Sequence, residues 1–325
     1  MKKLTALVAA ALAFGVSSVC VAQGAQTWPS KPIRVITPFP AGGINDTVIR
    51  VVAEKLSTAL GQPIVIEQKL GADGNIGTDA VAKSAPDGYT WLASSFPLTV
   101  APALHASLSF DPIKDFRAVA LTATAPNVLV VAPQVPASTI GDFIAYAKAN
   151  PGRVFYAIPA NGSSAHIGTE VLKRQAGFEA TQVLYKGAPA ALLDVIAGRV
   201  QFMLVSSSLA APQVKAGKLK ALAVIAPKRS PLLPGVPTIV EAGYAAALVV
   251  PWFGIHVPAG TPDPIVRKIN QGVAAALATP DVRARLESAG LTPAEPRAPN
   301  EVDASLQEEV LRWRQLAKQI DLSSK

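Results

Sequence analysis

The sequence predicts an α/β protein of two domains, each built around a doubly wound sheet. Short runs rich in β-branched residues alternate with longer segments of helical periodicity, which is typical of parallel sheets covered by helices. The chain has 325 residues, enough for two domains of roughly 150 residues each. Hydrophobic residues make up 50% of it, so both domains can form a core.

Ten segments have the composition of strands: residues 33–37, 64–67, 90–94, 119–123, 128–132, 155–158, 183–185, 202–205, 222–225 and 254–257. Because ten strands exceed the usual size of one small sheet, we divide them between two sheets. Helical periodicity fills the gaps, as in the apolar stripe from Val48 to Leu60. Near the C-terminus we predict helices at residues 264–277, 280–289 and 303–319. The first two begin with proline, whose missing N–H is tolerated there.

Two uncharged, proline-containing stretches, near residues 123–127 and 247–252, set the predicted domain boundaries. We predict a discontinuous first domain, residues 23–125 and 249–325, with residues 126–248 inserted as the second domain. The chain then crosses twice between domains, which forms a two-crossover hinge. The wider uncharged regions, residues 118–141 and 242–262, are long enough to suggest membrane spans. Prolines interrupt both regions, however, and favour buried strands.

The first 22 residues have the organisation of a secretory signal peptide. Lys2 and Lys3 precede an apolar run, and small residues end at Ala22. We therefore predict export to the periplasm, with residues 1–22 removed. The alternative is a lipoprotein acylated at Cys20, which the bulky Val19 immediately before it disfavours.

Composition excludes several classes of function. The net charge of +8 comes from a shortage of acidic residues, and no Lys/Arg cluster indicates nucleic-acid binding. The three histidines stand far apart in the sequence and Cys20 is the only cysteine, so we predict no metal and no cofactor. The spacing of Gly71, Gly74 and Gly77 is not that of a dinucleotide-binding motif, and no P-loop motif occurs.

Three loops between a predicted strand and a helix have the composition of an anion-binding site. At such loops the first N–H groups of a helix are unpaired and point beyond the carboxyl end of the sheet. A cleft between two domains can direct two such helix N-termini at one small anion. The predicted ligand contacts are Phe39, Ala41, Gly42, Gly43, Asn45 and Asp46 in the first loop, Asn161, Ser163, Ser164 and His166 in the second, Tyr185, Lys186 and Gly187 in the third, and Ser95 and Ser206 at strand ends.

These features also have structural explanations. Gly42 and Gly43 alone are compatible with a simple turn, and Asp46 favours any helix N-terminus. His166 lies in the first turn of a predicted helix, where a structural role is common. Lys186 is compatible with a solvated surface charge, and the serines from Ser206 onward with a polar turn.

From Trp28 to about Arg314 the chain resembles the extracytoplasmic solute receptors of tripartite tricarboxylate transporters, the Bug family. Six segments carry the resemblance: WPSKPIRVITPFPAGGINDTVIR (28–50), GADGNIGTDAVAKSAPDGYTWLAS (71–94), YKGAPAALLDVIAGRV (185–200), VKAGKLKALAV (214–224), PLLPGVPTIVEAG (231–243) and WFGIHVPAGTPDPIVRKIN (252–270). The resemblance implies a periplasmic binding protein (flytrap) fold that closes on a carboxylate-bearing solute and delivers it to integral-membrane transporter subunits. It also implies that backbone amides, hydroxyl groups and water hold the carboxylate. We expect a monomer that is not an enzyme.

Two departures from the family pattern bear on the ligand. Many relatives have an aspartate where this chain has Val205, and such a carboxylate would suit the ammonium group of an amino acid. Its absence disfavours amino acids. Asp73 replaces a small residue, which we interpret as a change on the loop surface. Phe39, Phe96 and Tyr185, if they line the cleft, leave space for an apolar or aromatic body, so we expect a di- or tricarboxylate or an aromatic carboxylate.

Two other functions are compatible with the sequence. A ligand sensor for a membrane signalling protein would use the same fold and the same cleft. A periplasmic hydrolase would need a nucleophile beside a base, and the G-x-S-x-G motif is absent. Ser164 and His166 are the only nearby Ser/His pair, and they are poorly directed toward each other if both lie on one helical turn.

Overall fold

The computed structural model describes residues 28–105 and 107–319. The predicted signal peptide and Cys20 lie outside the described residues. The strands are β1 (Ile33–Thr37), β2 (Ile64–Gln68), β3 (Thr90–Ser95), β4 (Phe116–Thr124), β5 (Asn127–Val131), β6 (Phe155–Ile158), β7 (Thr181–Leu184), β8 (Phe202–Ser206), β9 (Lys220–Ile225), β10 (Trp252–Pro258) and β11 (Thr292–Pro293). The helices are α1 (Ile44–Leu60), α2 (Asn75–Ala82), α3 (Pro97–Leu104), α4 (Ile140–Ala149), α5 (Ser164–Ala176), α6 (Ala188–Ile196), α7 (Ser207–Lys215), α8 (Asp263–Ala278), α9 (Pro280–Ser288) and α10 (Pro299–Ala317).

These strands form two sheets, as predicted. The first sheet has the strand order β11-β4-β10-β3-β1-β2 and the second has the order β7-β6-β8-β5-β9. Every predicted strand is present, and only the two-residue β11 was not predicted. The two-domain α/β fold expected from the sequence is therefore confirmed.

Both sheets are mixed, although the sequence pattern predicted parallel ones. In the first sheet β10 runs antiparallel to β3 and β4, and in the second β5 runs antiparallel to β8 and β9. These are the two strands that enter a sheet from the other domain. Since each enters at the hinge, it runs away from the cleft, whereas β1, β3, β6 and β8 run toward it. The carboxyl ends of parallel strands from both sheets therefore face the region between the domains.

Two crossovers connect the domains. The chain leaves the first sheet at Thr124 and enters the second at Asn127, and it returns between Ile225 and Trp252. The backbone N–H of Ala125 donates a hydrogen bond of 3.0 Å to the carbonyl oxygen of Pro251, so the crossovers are bonded to each other. They coincide with the uncharged stretches of the sequence, while the residue bounds 126–248 for the second domain stay a prediction.

The first sheet lies between two layers of helices. Apolar residues of α1, α8 and α9 cover one face, and α2, α3 and α10 cover the other. The second layer is continuous with the core of the second domain. Within residues 28–105 and 107–319, no helix has the length and apolar character that crossing a membrane requires.

Candidate functional site

A cavity of about 340 Å³ lies between the domains, at the carboxyl end of β3. Its wall includes the starts of α1 and α3 from the first domain, the start of α5 from the second, and the returning crossover. The lining residues are Phe39, Gly43, Ile44, Asn45, Ser95, Phe96, Pro97, Ser163, Ser164, Pro251, Trp252 and Phe253. Six of the predicted contacts are among them: Phe39, Gly43, Asn45, Ser95, Ser163 and Ser164.

The loop before α1 is shaped by Asp46, which is buried behind the cavity wall. One carboxylate oxygen accepts hydrogen bonds from the Gly42 N–H (3.0 Å) and from Arg50 Nε (2.8 Å), and the other accepts from Gln68 Nε2 (3.2 Å). The hydrogen bond from Arg50 contributes most to lowering the pKa of Asp46, and burial opposes it. Gly42 has φ +76°, a left-handed conformation that glycine adopts without strain. Asp46 therefore holds the loop in shape and does not line the cavity.

Asn45 connects the start of α1 to the sheet. Its Oδ1 accepts a hydrogen bond of 3.0 Å from Thr37 Oγ1 at the end of β1, and its Nδ2 donates one of 3.1 Å to the Ala93 carbonyl in β3. The side chain is buried. These bonds fix the first turn of α1 at the carboxyl end of the sheet.

Ser163 caps helix α5 on the opposite wall. Its Oγ accepts a hydrogen bond of 3.2 Å from the His166 N–H and donates one of 2.8 Å to the Ala160 carbonyl. The Gly162 N–H donates a bond of 3.1 Å to Nδ1 of His166, which must be unprotonated to accept it. Burial lowers the pKa of His166 and favours this neutral form. His166 thus positions the loop from behind, like Asp46 in the first domain.

Ser164 is the first residue of α5 and joins that helix to the outgoing crossover. Its Oγ accepts a hydrogen bond of 3.0 Å from Asn127 Nδ2, and both residues are buried. The hydroxyl hydrogen of Ser164 is then available to a ligand in the cavity.

The cavity wall presents neutral hydrogen-bond donors, which suit an anion. Helices α1 and α5 both begin at its wall, one from each domain. Among the described residues, none accepts a hydrogen bond from the backbone N–H of Ile44, Asn45 or Ser164. Unpaired N–H groups and the helix dipole favour negative charge at such ends. No described lysine or arginine lines the cavity.

A second cavity of about 210 Å³ adjoins the first, and Phe39, Pro97 and Ser163 line both. Its wall is formed by the loop before α2, by α3 and by the loop before α5. The other lining residues are Asp73, Asn75, Val100, Ala101, Leu104, His105, Ala160, Asn161 and Gly162. Asn161 is thus a seventh predicted contact on the wall of the cleft. Asp73 is exposed in its loop, in keeping with its interpretation as a loop-surface change, and it also lies on the wall of this cavity.

The domains touch at the far side of this second cavity. Gly162 of the second domain, at φ +69°, lies so close to α3 that an added Cβ would be 2.1 Å from Cδ1 of Leu104. A second point of contact lies between Gly290 and Ser208, where an added Cβ would be 2.2 Å from the Ser208 Cβ. Glycine at these positions lets the domains approach each other closely.

The third predicted loop lies next to the second, since the Gly187 N–H donates a hydrogen bond of 3.3 Å to the Pro159 carbonyl, but its residues are not among those that line either cavity. Tyr185 Oη donates a hydrogen bond of 2.8 Å to Asp194, which also pairs with Arg199 at 2.6 Å. Burial, followed by the Asp194 carboxylate, raises the pKa of Tyr185 to about 12. Lys186 is exposed. Ligand contacts at Tyr185, Lys186 and Gly187, and also at Ala41, Gly42 and Ser206, stay predictions, because none of these residues lines either cavity.

Sequence reasoning missed the wall contributed by the returning crossover. Trp252 Nε1 donates a hydrogen bond of 2.8 Å to Oε2 of Glu309 in α10, and Thr99 Oγ1 donates one of 2.7 Å to the same oxygen. Burial raises the pKa of Glu309, although both bonds oppose that effect. Glu309 thereby fixes the indole ring at the cavity wall. The sequence feature that could have indicated this wall is the uncharged segment around Pro251, from which we predicted a crossover but no part of the site.

The chain is similar to known receptor proteins. The family model described as tripartite tricarboxylate transporter family receptor matches residues 48–322. The protein BugT of Bordetella pertussis is 37% identical over 291 residues, which cover 89% of each chain. The chain belongs to this receptor family.

Two solved structures of family-like receptors carry bound carboxylates. The structure of MatC (Rpa3494) from Rhodopseudomonas palustris with bound malate is 35% identical, with a TM-score of 0.75, covering 89% of this chain and 100% of that one. That of R. palustris Rpa4515 with adipate is 34% identical, with a TM-score of 0.76, covering 90% of this chain and 97% of that one. The prediction of a solute-binding receptor rather than an enzyme is confirmed by family membership.

Proposed function

We propose that this chain is a periplasmic receptor that captures a small carboxylate between its domains and delivers it to the membrane subunits of a tripartite tricarboxylate transporter. The observation that carries the proposal is the meeting of two helix N-termini, from α1 and α5, at one cavity whose wall, among the described residues, has no cationic side chain. Malate and adipate in the similar structures support a carboxylate as the solute. The predicted signal peptide supports the periplasmic location.

The two-domain arrangement supplies the binding mechanism. A carboxylate can contact donors of Ile44 and Asn45 from the first domain and of Ser164 from the second only when the domains are close together. Solute binding therefore stabilises the closed arrangement relative to the open one. Closure then creates a surface that exists only in the loaded receptor, and transporter subunits can recognise it.

Neutral donors have a consequence for selectivity. Hydrogen bonds from peptide groups to a carboxylate are charge-assisted, and two helix N-termini add their dipoles, so no arginine is needed. The rest of the wall is largely apolar, with Phe39, Phe96, Trp252 and Phe253 around the cavity. The carboxylate thus anchors the solute, and the shape of the wall selects its carbon skeleton.

Ligand-dependent thermal stability tests the proposal. The mature chain, residues 23–325, is unfolded partially and refolded to release any co-purified ligand, and its melting is followed with malate, adipate, citrate, terephthalate, nicotinate and 6-aminohexanoate. A solute at about 100 times its Kd stabilises the folded state by about 2.7 kcal/mol, which raises the Tm by several degrees. The matched neutral control is the diamide of each dicarboxylate, which we expect to leave the Tm unchanged. Equal shifts with acid and diamide, or no shift with any acid, would contradict carboxylate capture.

A further inference from the structure

If the proposed function holds, the second cavity is the space that the far end of a bound solute enters. A carboxylate held at the starts of α1 and α5 occupies the 340 Å³ cavity, and a longer carbon skeleton extends past Phe39 and Pro97 into the 210 Å³ cavity. The side chains around this second space therefore meet whatever group the solute carries at its other end.

Asp73 is the only carboxylate among the described residues that line either cavity. Within the part of the chain that the structure describes, its side chain has neither an ion-pair partner nor a hydrogen-bond partner. The remaining polar side chains of the lining are those of Asn75, His105, Asn161 and Ser163. Lysine and arginine are absent from the described lining, so no fixed cation offsets the charge of Asp73.

The backbone at Asp73 is left-handed, with φ +54°, between Ala72 at +47° and Gly74 at +94°. Glycine adopts this conformation most easily, and aspartate and asparagine are among the other residue types that tolerate it. Asparagine would serve the backbone as well as aspartate, so the backbone does not require the negative charge.

We propose that Asp73 selects solutes whose far end carries a cationic group or a hydrogen-bond donor, and that it disfavours a second carboxylate there. Asp73 is exposed at the edge of the second cavity, where its charge repels a second carboxylate and attracts an ammonium group. This narrows the expectation from the sequence, which included di- and tricarboxylates. The cationic or donor group at the far end is remote from the anchored carboxylate, whereas the ammonium group of an α-amino acid is next to it. The absence of an aspartate at Val205 therefore still disfavours α-amino acids.

The experiment uses two solutes of matched length. Adipate and 6-aminohexanoate share a six-carbon chain and one carboxylate, and they differ in the charge at the other end. We expect the wild-type chain to bind 6-aminohexanoate more tightly than adipate in titration calorimetry. Asp73→Asn keeps the size of the side chain and suits a positive φ, so the fold is retained. It should change the ratio of the two Kd values by about tenfold in favour of adipate, and the change should shrink at 0.5 M salt.

The control variant is Asp281→Asn. Its side chain is 56% exposed, lines neither cavity and carries the same charge. We expect it to leave the ratio of Kd values unchanged. If Asp73→Asn also leaves the ratio unchanged while carboxylates still bind, the inference about Asp73 is wrong and the proposed function stands. If no carboxylate binds the wild-type chain, the proposed function itself fails.

Discussion

Replacement of Ile44 by proline removes one anion donor without removing the helix that presents it. Ile44 is the first residue of α1, and proline is well tolerated at that position because its missing N–H has no partner within the helix. The residue before a proline must be extended, and Gly43 already has φ −73° and ψ 170°. Since the Ile44 side chain is 44% exposed, little core packing is lost.

The size of the effect follows from a single hydrogen bond to a charged acceptor. Such a bond contributes about 1.5–3 kcal/mol, and about 1.4 kcal/mol corresponds to a tenfold change in affinity. We therefore expect Ile44→Pro to weaken carboxylate binding by about 10- to 150-fold. Titration calorimetry with the tightest solute from the thermal screen measures this change, and the Tm without solute checks that the fold is retained.

Ile44→Ala is the matched control, because it removes the same side chain and keeps the N–H. Any loss of affinity that both variants share comes from the side chain, and the additional loss in the proline variant belongs to the peptide donor. Equal Kd values for the two variants, with equal Tm values, would refute the assignment of the α1 N-terminus as an anion site.

Two further substitutions test the surroundings of the cleft. Gly162→Ala places a side chain at φ +69°, which strains the loop with or without solute, and puts its Cβ 2.1 Å from Cδ1 of Leu104. Leu104 must then leave its rotamer when the domains are in contact, at a cost of about 1 kcal/mol, or roughly fivefold in Kd. Titration calorimetry should show that affinity recovers when Leu104→Ala is added, and no recovery would contradict a contact across the cleft. Glu309→Gln removes a carboxyl group, and burial raises the pKa of that group above the ordinary 4.5. A group with a raised pKa stabilises the folded state below pH 4.5, and this stabilisation is lost as the pH rises through the raised pKa. Urea unfolding should therefore show the wild-type chain losing stability relative to Glu309→Gln between pH 4.5 and 7, and a relative gain would mean that burial does not dominate at this carboxyl group.

Local sequence patterns predicted the parts of the site that are local in the chain. A strand, a glycine- or serine-containing loop and a helix follow one another around Gly43 and around Ser163, and in an open α/β sheet that order alone directs the helix N-terminus toward the ligand. The same reasoning chose Asp46 and His166 as ligand contacts, because their residue types suit a site. In the structure both side chains accept hydrogen bonds from loop N–H groups and neither lines a cavity, so ligand contacts at these two residues stay predictions. Residue type alone does not distinguish a side chain that contacts the ligand from one that holds the loop.

Other features depend on contacts between distant parts of the chain. The Trp252 side of the cavity requires the return of the chain from the second domain, and the indole is held by Glu309, 57 positions later. The mixed character of both sheets likewise depends on where β5 and β10 enter, which residue composition does not reveal. The loop at Tyr185 has the same strand-loop-helix pattern as the other two, but it follows β7 at the edge of its sheet, and its residues are not among those that line either cavity.

Anchoring by main-chain donors affects how receptors of this kind can diversify. In the proposed anchor every residue except proline supplies the N–H for the carboxylate, so mutation of the codon for Ile44 or Ser164 would rarely remove it. An arginine in the same role would be lost through almost any missense change. Side chains of the wall, such as Phe39 and Asp73, can therefore vary over generations while the capacity to hold an anion persists, and one scaffold can acquire new solutes without passing through a form that binds none.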